Sequence, residues 1–252
     1  MHGPNTRCED CASRQRGICS VLAPDSLSKL LRMSRKKLVS PRETIFHDGD
    51  TPNYYYNIIS GVVKLVKILA DGEQHIVGLL FPGEFLGRAL NSRHAYSAEA
   101  ATGTVLCAFP KPEFEAFLRS HPELERHIFE LTVRELDVCR DWTLLLGRKC
   151  SYERVAGFLL MMAQRMIDIG EGQRTGNYVQ FELPFTRAEL ADYLGLTLET
   201  VSRQFSHLRN KGVISLPSSR HVLIPDVERL SSAARLEMCS AAFEQSQSRS
   251  VA

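Results

Sequence analysis

TRAELADYLGLTLETVSRQFSHLRNKGVI, residues 186–214, sets the frame for the rest of the chain. Thr186 followed by Glu189 has the spacing of a capping box, in which the hydroxyl and the carboxylate satisfy each other's orphan backbone N–H groups. Leu190, Ala191 and Leu194 give a short first helix one apolar face, and Gly195 ends it. Leu196 fills the turn, Thr197 stands where a second helix is capped, and Lys211-Gly212 closes that helix. Val201, Phe205 and Leu208 form its buried side. Glu199, Ser202, Arg203 and Arg209 are left on the other side. A helix carrying this set near its start fits a DNA major groove. There Arg203 can donate a bidentate pair to guanine, and Glu199 can accept from the cytosine amine. A plain helical hairpin with a charged face is the competing reading. It does not account for cap, turn glycine and apolar spacing all agreeing.

The chain has 252 residues, enough for two modest domains with real cores, and its 44% hydrophobic and 24% charged residues are ordinary for a globular protein. Net charge is only +2. DNA affinity must therefore come from local clusters such as Arg203, Arg209, Lys211, Arg220 and His221 rather than from bulk charge. The first residues, MHGPNTRCEDCASRQ, lack the apolar run of a secretory signal. The longest strongly apolar run, VAGFLLMMA (155–163), is too short to cross a bilayer. These features predict a cytoplasmic protein with no membrane partner, in which seven cysteines serve as thiols or metal ligands rather than as structural disulfides.

Residues 1–25 form a polar, cysteine-rich segment, and SLSKLLRMSRKKL (26–38) has the pattern of a short amphipathic helix. From Val39 to about Phe109 short apolar runs alternate with turn signals: HDGD (47–50), Ser60-Gly61 and the hairpin signal Asp71-Gly72. That texture predicts an antiparallel β-roll within residues 26–119. Ser120 with Glu123 has capping spacing, and a helical pattern follows to about Lys149, so residues 120–150 read as one long helix. Phe129, Thr132, Leu136, Cys139, Thr143 and Leu146 repeat at coiled-coil intervals. Ile128, Leu131, Val138, Trp142 and Leu145 form a neighbouring stripe. Two stripes need two covers, which predicts that one faces the chain's own roll and the other a second subunit, giving a homodimer. A helix wholly buried in its own domain is the alternative. Residues 151–236 hold a helix over 151–168 with methionines as core filler, a polar loop over 169–177, a strand from VQFELPF, the helix-turn-helix, a hairpin from VISLPSSRHVLIP and a last helix in VERLSSAARLEMC. Residues 237–252 have a disordered composition. The fold class is α+β, ending in a winged helix-turn-helix. No Ser/His/Asp set or glycine-rich phosphate loop stands out, so no enzyme is expected.

Cys8, Cys11 and Cys19 place three soft ligands on one short segment, as a metal or cluster requires, with no fourth ligand nearby. Cys107 alone reads as a buried small hydrophobe. His47 and His75 have no partner spacing that points to a metal.

A cysteine-rich start, a β-roll, a long dimer helix and a C-terminal winged helix-turn-helix, spanning Cys8 to about Ala234, resemble the catabolite-activator superfamily of bacterial transcription regulators. ETVSRQF (199–205), GEFLG (83–87), TVLCAF (104–109) and DWTLLLGRK (141–149) resemble its FNR branch (fumarate and nitrate reduction regulators), most closely the FnrN-type members. The resemblance implies an E-x-x-S-R reading set at Glu199, Ser202 and Arg203 that recognises a palindrome of TTGAT half-sites. It implies a distant fourth thiolate at Cys107, completing with Cys8, Cys11 and Cys19 the ligands of a [4Fe–4S] cluster that oxygen destroys. It implies also an RNA polymerase contact at Asp71-Gly72-Glu73. The nucleotide-binding members carry an acidic residue for ribose and an Arg-Ser-Ala run for phosphate. Here Gly87-Arg88-Ala89 and Tyr96-Ser97-Ala98 stand instead, and neither charged anchor remains, so no cyclic-nucleotide response is expected. Family members can carry an acidic residue on the dimer seam where this chain has Cys139, which puts dissociation of the cluster-free form in doubt. Two alternatives stay open: the same DNA-binding protein with a zinc or dithiol switch, and a zinc-stapled interaction module whose helix-turn-helix does not read DNA.

Overall fold

The computed structural model describes residue 11 and residues 13–87 and 93–234. The expected disordered tail (237–252) and Cys8 lie outside the described residues. Two units form, one from residues up to 143 together with 184–197, the other from 144–183 and 198 onward.

In the first unit two four-stranded antiparallel sheets make the expected roll. One has the order β1 (Arg35–Val39), β8 (Thr104–Pro110), β3 (Tyr54–Ser60), β6 (Phe85–Leu86). The other runs β2 (Thr44–Phe46), β7 (Ser97–Ala100), β4 (Val63–Ile68), β5 (Gln74–Leu80). Side chains alternate between the faces of each strand. Leu106 and Ala108 of β8 join Ile58, Val63, Leu65 and Ala98 in the core between the sheets. Cys107 and Phe109 join a second core, built with Ile18, Leu27, Leu30, Tyr55, Phe114, Phe117, Leu124 and Ile128. Gly61 turns β3 into β4 at φ +86°, and a Cβ there would lie 2.5 Å from the Gly103 carbonyl oxygen. Only glycine fits.

Several local expectations are corrected. The early helix is α2, Pro24–Met33, following α1 (Ser13–Arg16) and a 3-10 turn at Ile18–Val21. It does not run to residue 38, because Arg35–Val39 pair residue by residue with Ala108–Thr104. Ser34 stops the helix by donating its hydroxyl to the Leu31 carbonyl at 2.9 Å. A helix with no counterpart in the sequence reading, α3 (Lys111–Arg119), precedes the long one. Ser120 therefore closes α3, its hydroxyl donating to the Phe117 carbonyl at 2.9 Å, and does not open the long helix. That helix, α4, spans Pro122–Arg148.

The second unit is built on α5 (Ser151–Asp168), the helix expected at those residues, with Met162 and Met166 buried as core filler. The expected polar loop after it is partly a strand. β9 (Gly172–Thr175) pairs with β10 (Tyr178–Glu182), which pairs in turn with β11 (His221–Ile224). The expected hairpin over 213–225 is present as one antiparallel bridge, Ser215 to Leu223, beside the ladder of β11 with β10. α7 (Leu198–Asn210) buries Val201, Phe205 and Leu208, and α8 (Val227–Ala234) buries Val227, Leu230 and Ala234.

Candidate nucleic-acid interface and thiolate site

α6 (Arg187–Leu194) in the first unit forms as its sequence dictates. The Thr186 hydroxyl accepts from the Glu189 N–H at 3.2 Å, and Glu189 Oε2 accepts from the Thr186 N–H at 2.7 Å. Gly195 follows in the left-handed region at φ +60°, which removes the steric cost any Cβ would add.

α7 begins three residues later and presents one exposed face. Glu199, Ser202, Arg203 and Arg209 are all exposed there, as their spacing predicts. Arg203 donates to Glu199 one turn earlier, an ion pair with both side chains more than two-thirds exposed. The Ser202 hydroxyl donates to the Leu198 carbonyl at 2.9 Å. A shallow groove along this face is lined by Glu199, Ser202, Arg203, Ser206, His207 and Asn210. Ser206, His207 and Asn210 were not picked out from the sequence, although their helical steps from Ser202 and Arg203 place them on the same side. Tyr152 of α5 underlies the helix end, its ring 4.8 Å from that of His207 and 4.9 Å from the Lys211 ammonium. The groove is open to solvent and does not enclose a small molecule, and Arg203 and Glu199 give it one charge of each sign.

The thiols divide by environment. Cys107 is 8% exposed on β8, and Cys11 and Cys19 pack against the same core that contains it. Among the described residues, no three His, Cys, Asp or Glu side chains meet as a metal-binding group. Cys11, Cys19 and Cys107 are thus not gathered into one donor group, and Cys8, the remaining expected ligand, lies outside the described residues. In chemistry the three described thiols are soft donors of the kind a metal or cluster takes, and they lie against apolar side chains, with the Tyr55 hydroxyl of that core donating to Glu115 at 2.7 Å. Cys139 and Cys150 are exposed on α4 and at its end. Burial, followed by the nearby Glu135 carboxylate, pushes the Cys139 thiol pKa up.

On α4, Ile128 and Leu131 enter the roll's second core, as one stripe requires. Val138 of that stripe is exposed, contrary to expectation. On the other stripe Phe129, Thr132, Leu136, Cys139 and Thr143 are exposed and Leu146 is half-buried, with Phe129 at 68% and Leu136 at 48%. Among the described residues, this apolar seam has no cover over Phe129 and Leu136.

In the roll, Gly87 precedes Arg88 and Ala89, which lie outside the described residues. Tyr96 packs toward Phe46, ring centroids 6.4 Å apart, and the Ser97 hydroxyl accepts the Asp48 N–H at 3.0 Å. Both side chains at the expected phosphate position are thus engaged in the fold.

Residues 153–233 match the Crp-like helix-turn-helix domain, and residues 36–121 match the cyclic nucleotide-binding domain. The chain is 39% identical over 228 residues to a probable transcriptional activator of Rhizobium leguminosarum bv. viciae, covering 90% of this chain and 93% of that protein. The chain belongs to the Crp/FNR family. Other Crp/FNR relatives include the transcriptional activator protein FnrL of Cereibacter sphaeroides, 38% identical over 89% of this chain and 90% of its own. The nitrogen fixation regulation protein FixK of Bradyrhizobium diazoefficiens is 41% identical over 83% and 86%. Among solved structures, FixK2 from Bradyrhizobium japonicum superposes with a TM-score of 0.71 at 30% identity, covering 79% of this chain and 96% of that one. The protein is thus a DNA-binding transcription regulator of the Crp/FNR type and not an enzyme. No described helix is long and apolar enough to cross a membrane.

Proposed function

We propose that the chain is an oxygen-responsive transcriptional activator that holds a [4Fe–4S] cluster on Cys8, Cys11, Cys19 and Cys107. As a homodimer it would read a palindrome of TTGAT half-sites in double-stranded DNA. The observation that carries the cluster reading is the shared core. Alternation along β8 turns Cys107 outward onto the apolar layer against which Cys11 and Cys19 already pack. A bound cluster would supply an oxygen-labile crosslink among these thiolates. The chain's own part is to bring the N-terminal segment onto β8 beside the start of α4, since Leu124 and Ile128 of α4 sit in that same core. Tying the segment there steadies α4, whose exposed stripe through Phe129, Leu136 and Cys139 is the pairing face for a second copy. Two subunits are needed for one palindrome, so a modest loss of pairing becomes a large loss of occupancy. Exposed Asp71 and Glu73, at the turn between β4 and β5, are the RNA polymerase contact in this reading. No cyclic nucleotide is part of this reading, because Tyr96 brings no cation to a phosphate where the nucleotide-binding members carry arginine.

Anaerobic purification tests this. Iron and sulfide counted per monomer should give about four of each, with a broad visible absorbance that air bleaches while palindrome binding falls in parallel. Cys107→Ser should lose the iron, whereas Cys150→Ser should keep it. A colourless protein that binds the palindrome equally in air and under nitrogen would refute the cluster.

A further inference from the structure

Lys64 breaks the apolar run of β4. Val63 and Leu65 point into the core between the sheets, so alternation sends Lys64 to the outer face, yet its side chain is only 3% exposed. What covers it is α6. The Lys64 ammonium donates to Glu189 Oε1 at 2.6 Å and pairs with Glu99 Oε1 of β7 at 2.8 Å. Glu189 is the same residue that closes the capping box of α6, so one carboxylate serves both as helix cap and as anchor to the roll. Two more contacts secure the helix. His75 of β5 bonds through Nδ1 to the Asp192 carbonyl at 3.2 Å, and Trp142 of α4 stacks on Tyr193 with centroids 4.3 Å apart. A buried lysine between two carboxylates is costly to desolvate and contributes little net stability, but it tolerates few alternative geometries. That makes it a register device rather than an adhesive.

We propose that Lys64 is a positioning residue for DNA reading: by bridging Glu99 of the roll to Glu189 of α6, it clamps the first helix of the helix-turn-helix on the sensor roll in the DNA-competent state. Glu199, Ser202 and Arg203 of α7, the reading set, are exposed. Opening it frees α6, and through the three-residue link after it the start of α7, to sample orientations that DNA binding must again restrict. The fraction of competent molecules then falls, and apparent affinity falls by the same factor. This step concerns the family's DNA binding and does not depend on the cluster.

The chain carries its own reporter, since Trp142 is its single tryptophan and stacks on α6 itself. Lys64→Met keeps the aliphatic stem and removes the cation. Glu189→Gln removes the charge while keeping a side chain that still completes a capping box, which guards against simple loss of the helix. In the full-length protein both variants should shift Trp142 emission to the red and raise its quenching by acrylamide, with far-ultraviolet circular dichroism unchanged. Affinity for a duplex carrying a TTGAT palindrome should fall roughly tenfold, with an unchanged salt slope because no phosphate contact is lost. Lys64→Arg, which can still bridge two carboxylates, should restore much of both signals. Unchanged Trp142 signals in both variants would overturn the clamp, whatever happens to DNA. A Trp142 shift with equal or tighter DNA binding would overturn the competent-state assignment, because the clamp would then be idle or inhibitory. If the wild-type protein does not bind this duplex, the proposed site falls, and the Trp142 measurement still decides the clamp.

Discussion

Replacing Arg203 with alanine separates what this side chain does for the fold from what it does for DNA. In the protein alone it is 74% exposed and pairs only with Glu199, itself 71% exposed, at i,i+4 spacing. Such an exposed pair contributes at most about 0.3–0.5 kcal/mol, and alanine returns part of that through its better helix propensity. The melting temperature should therefore move by no more than about 2 °C. On DNA the expected loss is far larger. A bidentate guanine contact is worth about 1–3 kcal/mol of discrimination, and a homodimer on a palindrome makes two, giving about 2–6 kcal/mol, or roughly thirtyfold to twenty-thousandfold. Fluorescence anisotropy at one fixed salt concentration measures this on the TTGAT palindrome and on a duplex with the guanine of each half-site changed to adenine. The wild type should lose most of its preference on the altered duplex, whereas Arg203→Ala should bind the two nearly alike. A loss of similar size on both duplexes, with a salt slope reduced by about one per contact, would place Arg203 on phosphate and refute guanine reading.

Three further outcomes are expected. Leu136→Asp and Cys139→Asp put carboxylates on the exposed stripe of α4, so folding should be nearly unaffected while sedimentation shows weaker self-association. Gel filtration with no shift toward monomer would argue against this face as the seam. The clamp should also be sensitive to acid. Burial alone would raise the Glu189 carboxyl pKa, but the Lys64 ammonium and the Thr186 N–H and hydroxyl hold it below its ordinary 4.5. A lowered carboxyl stabilises above that ordinary value and loses its contribution as pH falls through the folded value. Asp192, raised by burial, works in the opposite direction, and Glu99, Glu73 and His75 complete the charges around the site. Trp142 emission followed against pH should report undocking of α6 on the acid side. In Lys64→Met the midpoint should lie at higher pH, and an unmoved midpoint would show that Glu189 is not what titrates. Similarly, Lys64 is raised above its ordinary 10.5 because its two carboxylate bonds outweigh the lowering by burial, so its contribution persists until pH rises through that raised value.

Legibility in the sequence followed the range of the forces involved. The capping box of α6, the left-handed Gly195 and the apolar spacing of α7 depend on residues within one or two turns, and each stands where local chemistry puts it. The exposed stripe of α4 was readable because a 3,4 repeat of apolar residues along one helix is a local pattern in itself. β1 was not. Arg35-Lys36-Lys37 looks like the polar end of a helix, and only the ladder to β8, about seventy residues later, makes it a strand. Ser120 and Glu123 had the right spacing for a cap, but the unrecognised α3 claimed Ser120 as its own terminus. Lys64 was furthest from view. Its bond to Glu189 joins residues 125 apart in sequence, and nothing within β4 distinguishes a buried bridging lysine from a solvated one.

The roll joins these two sets of residues through a short physical route. Cys107 lies on β8 of one sheet and Lys64 on β4 of the other, each turned away from the core between the sheets. Their chain neighbours point the opposite way: Leu106 and Ala108 on one side, Val63 and Leu65 on the other, all in that shared core. A close-packed interior transmits small shifts of backbone rather than absorbing them. On this route a shift at Cys107 would reach the strands that seat Lys64, and any such coupling would be reciprocal. Contiguity alone does not establish coupling, which a double-mutant cycle measures directly. If the route operates, Cys107→Ser and Lys64→Met combined should change palindrome affinity by a factor different from the product of the single changes. Independent factors that simply multiply would mean that the thiolate face and the clamp act on DNA reading through separate parts of the molecule.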